Sequence, residues 1–139
     1  MGTPTVTAPR WLLDSNVVMD WLNSNSGPAF SGHFTRYLEQ GAATSVITWM
    51  EVLGLGWRGH GVQSRADAER LLAAMPRVEL DEAVVRRTIE LRSLHAIKLP
   101  DAMIAASALT AQLVLVTRNV SDFSTIAGLV VRDPHAAVP

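Results

Sequence analysis

The chain has 139 residues, of which 48% are apolar, and a formal net charge of −1. That length fits one domain, and that much apolar content excludes a disordered chain. The near-zero charge argues against binding nucleic acid through bulk charge alone, though not against local basic patches, and the absence of cysteine excludes a disulfide scaffold and any thiolate metal site.

Residues 1–9 read as a loose leader without the apolar segment of a secretory signal. Trp11-Leu12-Leu13 is a short apolar run that predicts a buried strand ending at Asp14. Ser15-Asn16 can cap a helix from Val17 to Asn23. After a loop from Asn23 to Gly27, a short amphipathic helix is expected over Phe34 to Glu39, ended by Gly41. Ala42 to Ile47 predicts a second strand, and Thr48 opens a helix through Glu51, Val52, Leu53 and Leu55. Gly54, Gly56, Gly59 and Gly61 mark turns. Ala66 to Met75 predicts a helix stopped by Pro76, and Arg77 to Leu80 a third strand. Asp81 caps a helix to about His95, with Ala83, Val84, Ile89, Leu91 and Leu94 as its apolar side. Pro100 suits a first helical turn, and an Ala-rich helix follows from Asp101 to Gln112. Leu113 to Val116 reads as a central strand covered on both faces, Thr117 to Phe123 as a loop, Leu129 to Val131 as a last strand, and residues 134–139 as a tail.

Short apolar strands alternating with amphipathic helices predict a single α/β domain around a parallel sheet. In such sheets the ligand site lies at the carboxyl ends of the strands. Asp14 follows the first strand, Glu51 lies in the first turn after the second, and Asp122 lies in the loop after Val116. Asp101 opens the helix feeding that same strand, and a crossover helix runs antiparallel to the strand it feeds. All four carboxylates are therefore expected at one edge.

Each acid also has an ordinary structural role. Asp14 with Ser15 suits a helix N-cap, Thr48 and Glu51 match a capping box, Asp101 suits a first helical turn, and Asp122 suits a polar surface loop. Together at one edge, however, four carboxylates repel unless a cation sits among them. An all-oxygen site favours Mg²⁺ or Mn²⁺, which can activate water and neutralise a leaving oxygen without any side-chain nucleophile. That suits a chain without cysteine, whose histidines 33, 60, 95 and 135 show no ligand spacing.

Four segments carry a family resemblance: Leu12-Leu13-Asp14-Ser15-Asn16-Val17, Thr48-Trp49-Met50-Glu51-Val52, Leu99-Pro100-Asp101-Ala102-Met103-Ile104-Ala105-Ala106, and Thr117-Arg118-Asn119-Val120-Ser121-Asp122-Phe123. In this order and spacing, from Trp11 to about Asp133, the chain resembles the PIN-domain ribonucleases, and among them the VapC toxins of type II toxin–antitoxin pairs. The resemblance implies a three-layer α/β/α fold with about five parallel strands and cleavage of RNA with Mg²⁺ or Mn²⁺. It matches Asp14, Glu51 and Asp101 to the three core acids. The fourth place falls to Asn119 or to Asp122, the latter acting on the metal through water. Asn16 and Thr48 match polar positions that orient the acids; Thr117 and Asn119 do the same or contact phosphate, and Arg118 is a candidate phosphate contact. A cognate antitoxin and a homodimer are also implied; apart from the resemblance, the lack of cysteine points to a reducing, cytoplasmic home, and the longest apolar run, Ala102 to Val116, is broken by Ser107, Thr110 and Gln112 and falls short of the ~20 residues of a membrane span.

Two alternatives stand beside this reading. A haloacid dehalogenase-like phosphatase would use Asp14 as nucleophile, but wants a second Asp where this chain has Asn16 and a Lys late in the sheet, whereas Lys98 precedes the helix. A non-catalytic PIN-fold binding module would not need the intact acidic set. Trp49, Leu53 and Trp57 recur every four residues, with Leu55 near, and form either core or an apolar surface for a partner.

Overall fold

The computed structural model describes residues 8–23, 27–54 and 62–139. In chain order the elements are β1 (Trp11–Leu13), α1 (Ser15–Asn23), α2 (Gly27–Gln40), β2 (Ala42–Ser45), α3 (Val46–Gly54), α4 (Val62–Ala73), β3 (Arg77–Val78), α5 (Glu82–Leu94), α6 (Leu99–Ala111), β4 (Val114–Val116), α7 (Val120–Phe123) and β5 (Val131–Arg132). The strands form one parallel sheet in the order β3-β2-β1-β4-β5.

The period-2 geometry of the strands divides the core into two layers. Trp11 and Leu13 of β1, Ala42 of β2 and Val116 of β4 belong to one apolar cluster, with Val17, Val18, Phe30, Phe34, Tyr37, Ala68 and Leu72 of α1, α2 and α4. Leu12, Ala43 and Leu115, the alternate positions, belong to the other, with Val84 and Leu91 of α5, Ile104 to Ala106 of α6, and Phe123. Both faces of the sheet are thus covered by helices, giving three layers and explaining why its central strands β1 and β4 read as unbroken apolar runs.

Several local expectations are corrected. Helix α2 begins at Gly27, not near Phe34, because Phe30, Phe34 and Tyr37 form a buried i, i+4, i+7 stripe that outweighs the low propensity of Gly27, Pro28 and Gly32. Gly41 then turns the chain at φ +105°, where a Cβ would stand 3.1 Å from Ala8 O and Pro9 Cα. Strand β2 stops at Ser45, whose Oγ accepts the Ile47 N–H at 2.9 Å, so α3 starts two residues before Thr48. The capping box is therefore not formed: Thr48 is buried inside the helix and Glu51 lies beyond its first turn.

On α5 the buried side is Val84, Thr88 and Leu91, while Ile89 and Leu94 are 65% and 68% exposed. Asp81 caps that helix as expected, accepting the Val84 N–H at 3.0 Å. Ser15 and Asn16 are inside α1 rather than before it, and the Asp14 carbonyl accepts the N–H groups of Val17 and Val18. Val120 to Phe123 is a short helix, not loop. The segment after Pro134 lies against α2, where the Gln40 side-chain amide donates to Pro139 O at 2.6 Å and Val138 packs on the core. Trp49 and Leu53 pack partly buried on the core, with the Arg77 guanidinium 4.8 Å above the Trp49 ring, so Trp49 is not an open docking surface; Leu55 and Trp57 lie outside the described residues.

Candidate active site

The chain order β1, β2, β3 runs outward on one side of β1, and β4 and β5 lie on the other. The point of reversal is the seam between β1 and β4, where open α/β sheets place their ligands. Leu13 pairs with Val116 across this seam, so Asp14 and Thr117 emerge side by side. The Asp14 N–H continues the ladder to Val116 O at 2.9 Å.

Asp14 is 7% exposed, and its carboxylate is held from three directions. Ser15 N–H donates to Oδ1 at 2.8 Å, while the Thr117 hydroxyl at 2.8 Å and the Asn16 amide at 3.3 Å donate to Oδ2. Asn16 also donates to Thr117 Oγ1 at 3.2 Å and accepts the Arg118 N–H at 3.2 Å, and the Asn119 N–H reaches Thr117 Oγ1 at 3.1 Å. Asn16, Thr117 and Asn119, read from the sequence as supporting residues, thus form one network that fixes the carboxylate's rotamer.

Glu51 reaches the same edge from α3. The Ser15 hydroxyl lies 2.7 Å from Glu51 Oε1 and 3.1 Å from Thr48 Oγ1. Its single proton serves the carboxylate, so the second bond takes its proton from Thr48. Ser15 has the sequence position of a cap; in the fold it orients Glu51, a role carried by a contact 36 residues away in sequence. Asp101, in the first turn of α6, and Asp122, in the first turn of α7, line a cleft of about 310 Å³ with Ala96, Ile97 and Lys98.

Electrostatics ties the four acids together. Burial raises the pKa of Asp14 above the ordinary carboxylate range; the bonds from Thr117 and Ser15 oppose this, and the charges of Glu51 and Asp101 add to it. Burial also raises Asp101, helped by Asp122 and Glu51 and opposed by Lys98. Among the described residues, none of the four has an Arg, Lys or His nitrogen within ion-pair distance. Among the described residues no three His, Cys, Asp or Glu groups stand together closely enough to enclose an ion. The donor set still fits a hydrated hard cation: it is all oxygen, mutually repelling, and open to solvent at Glu51 and Asp122. Mg²⁺ in particular keeps several waters and binds through one or two carboxylates.

Arg118 stands at the rim. Its side chain is half exposed, and its Nε lies 3.0 Å from Oδ2 of Asp20, a buried acid of α1. The contact is an ion pair without the alignment of a good hydrogen bond. Sequence reasoning passed over Asp20, which shares the inward side of α1 with Val17 and Val18; a charge among apolar helix positions was the available signal.

A parallel sheet with carboxylates gathered at its switch point defines the class: an α/β domain with an acidic carboxyl-edge site. The chain belongs to the PIN-domain family, whose model matches residues 11–129. Among solved structures, a toxin–antitoxin complex from Klebsiella pneumoniae contains a chain 32% identical to this one, covering 88% of this chain and 96% of that one with a TM-score of 0.70. VapBC from Salmonella typhimurium bound to DNA has the same fold at 24% identity, covering 90% and 98% of the two chains with a TM-score of 0.79. FitAB bound to the IR36 DNA fragment is likewise 24% identical and covers 93% and 98%, with a TM-score of 0.77. Comparison with curated protein sequences finds no match. Family membership sets aside the phosphatase alternative built on Asp14 as nucleophile.

Proposed function

We propose that this chain is an endoribonuclease dependent on Mg²⁺ or Mn²⁺, and the toxin of a toxin–antitoxin pair. The observation that carries this reading is the set Asp14, Glu51, Asp101 and Asp122, coupled in charge and without an ion pair among the described residues, at the β1–β4 seam of a PIN domain. A bound divalent cation supplies an activated water and neutralises charge on the leaving oxygen. Asp14 and Asp101, with Glu51, would hold that cation, and Asp122 would support it through water. Asn16 and Thr117 keep the Asp14 oxygens in place, Asn119 braces Thr117 through its main chain, and Thr48 acts on Glu51 by way of Ser15. Such support is what a metal-ligating carboxylate requires to stay oriented. Arg118 contacts phosphate.

The toxin assignment is supported by the 32%-identical chain of a toxin–antitoxin complex. It brings with it a cognate antitoxin, a homodimer and a cytoplasmic place of action; no helix among the described residues is long and apolar enough to cross a membrane. Purified protein should cut RNA with Mg²⁺ or Mn²⁺, stop with chelator, and not cut with Ca²⁺ alone. Undiminished cleavage by Asp14→Asn protein would defeat the nuclease reading. Expression without a partner should arrest growth, and Asp101→Ala should relieve the arrest at equal protein level; harmless expression of folded, inhibitor-free protein defeats the toxin reading while leaving the nuclease.

A further inference from the structure

We infer that Asp20 is a positioning residue for RNA binding: it anchors Arg118 through Nε and leaves the two terminal guanidinium nitrogens for a backbone phosphate beside the acidic site. The inference rests on the nuclease reading above and adds to it a residue that supports phosphate binding at this edge.

An edge built from four carboxylates repels RNA, so cationic side chains close to it help to bring a phosphate in; Lys98 lines the cleft beside Asp101 and Asp122, and Arg118 stands on the Asp14 side. Most basic side chains of the described residues are already engaged. Arg65, Arg70, Arg77, Arg86 and Arg87 pair with acids on the surface of α4, β3 and α5. Arg132 bonds Tyr37 and Ala137, and Arg92 bonds Ile97 O. Arg118 differs in how it is held. Its main-chain N–H bonds Asn16 Oδ1, and the Asn16 amide bonds Asp14, so its root is tied to the central acid. Its side chain is half exposed, approaches Asp20 through Nε at 3.0 Å, and pairs with no other acid among the described residues. A planar guanidinium held near one acid and half open to solvent suits bidentate phosphate contact.

Asp20 is needed for that geometry and for little else. It sits on the buried side of α1 with Val17 and Val18, where an apolar residue would pack without desolvating a charge. Replacing a buried ion pair by apolar residues is often neutral or stabilising, so packing alone gives no reason for an acid here. Its carboxylate turns a long, flexible side chain into a fixed one, and ordering that arginine beforehand removes part of what phosphate binding would otherwise lose in entropy.

The test measures binding of a single-stranded RNA oligonucleotide to the full chain, with Ca²⁺ replacing the active metal, as a function of salt. The proteins are wild type, Asp20→Asn, Arg118→Ala and the double variant; cleavage by wild type with Mg²⁺ and melting curves run in parallel. Both single variants should raise Kd roughly 5- to 30-fold, as loss of a charge-assisted contact does. Each should flatten the slope of log K against log salt by about 0.7, the value of one phosphate contact on a single strand. The double variant should bind no worse than Arg118→Ala, because Asp20 acts only through the arginine. Should Asp20→Asn melt below the assay temperature, Asp20→Ser replaces it with the same expectation. A wild-type slope in the Asp20 variant, with melting temperature alone lowered, makes the pair a structural strut and overturns the inference. So does an Arg118→Ala protein that binds like wild type. If wild type itself neither binds nor cuts RNA, the nuclease reading falls; if wild type cuts and Asp20→Asn binds as well as it does, only the role of Asp20 falls.

Discussion

On α5 both acidic side chains stand beside a guanidinium: Glu82 lies 2.9 Å from Arg86 and Glu90 3.1 Å from Arg87. At the carboxyl edge of the sheet, Asp14, Glu51, Asp101 and Asp122 lie among one another, with no such partner among the described residues, and burial and mutual repulsion raise the pKa values of Asp14 and Asp101. The same functional group is thus placed for opposite ends. An exposed pair one helical turn apart contributes about 0–1 kcal/mol and keeps a surface soluble. A repelling set at a switch point lowers the stability of the metal-free fold and gains a use for the charge it keeps.

The largest expected break in this comparison is functional. Asp101→Asn should lower RNA cleavage at least 100-fold, in the range seen when a group acting on the reacting atoms is removed. Glu90→Gln, which deletes a charge of the same kind on α5, should leave the rate within about twofold; equal losses in the two variants would erase the distinction. Next comes the response to metal. At about 100 times its Kd, Mg²⁺ should stabilise wild type by about 2.7 kcal/mol, read as a rise in melting temperature, because it binds only the folded chain. Asp101→Asn should show little of this rise, and Glu90→Gln all of it.

A smaller effect sharpens the electrostatics. In chelator, Asp101→Asn should be as stable as wild type or more so, since one repelling, partly buried charge is gone. An acid serving only the helix dipole would instead lose roughly 0.3–1 kcal/mol on the same change. The pH dependence has a definite sign. With folded-state pKa values above the unfolded ones, the folded chain binds more protons at Asp14 and Asp101, so their contribution to stability rises as pH falls from neutral through those raised values. Melting curves in chelator between neutral pH and the ordinary carboxylate range should show this rise in wild type and less of it in Asp101→Asn. A contribution that falls with acid, as from salt-bridged carboxylates, would contradict the repulsion. The smallest expected effect is the stability of Glu90→Gln, within about 0.5 kcal/mol of wild type by thermal melting.

The two central strands were legible because a parallel strand buried on both faces tends to be apolar throughout: Trp11 to Leu13 and Leu113 to Val116 read as such, and β1 and β4 lie within those runs. The edge carrying the acids was legible too, since strand ends and the start of a crossover helix fall on one side of a parallel sheet whatever its order. Local pattern misjudged positions where a distant partner outweighs propensity. Thr48 and Glu51 have the spacing of a capping box, but Ser45 caps α3 and Glu51 turns to Ser15. Ile89 and Leu94 have helical spacing with the core residues of α5, yet lie outside the narrow stripe that α6 and the sheet cover.

By itself, then, the amino-acid order determined the α/β class, the places of the two central strands β1 and β4 and the edge on which the four acids fall, while β2, β3 and β5 end or begin elsewhere than their local pattern suggests, because periodicity and chain direction are local properties but strand ends depend on the neighbouring strand. Only the tertiary structure decided which side chains hold those acids. Thr117 comes to Asp14 across 103 positions of sequence, Arg118 to Asn16 across 102 and Ser15 to Glu51 across 36. Those bonds, and the pairing of Arg118 with Asp20, exist only once β4 has taken its place beside β1 and α3 has docked on α1, since no rule of neighbouring residues relates groups that meet through the packing of the whole sheet.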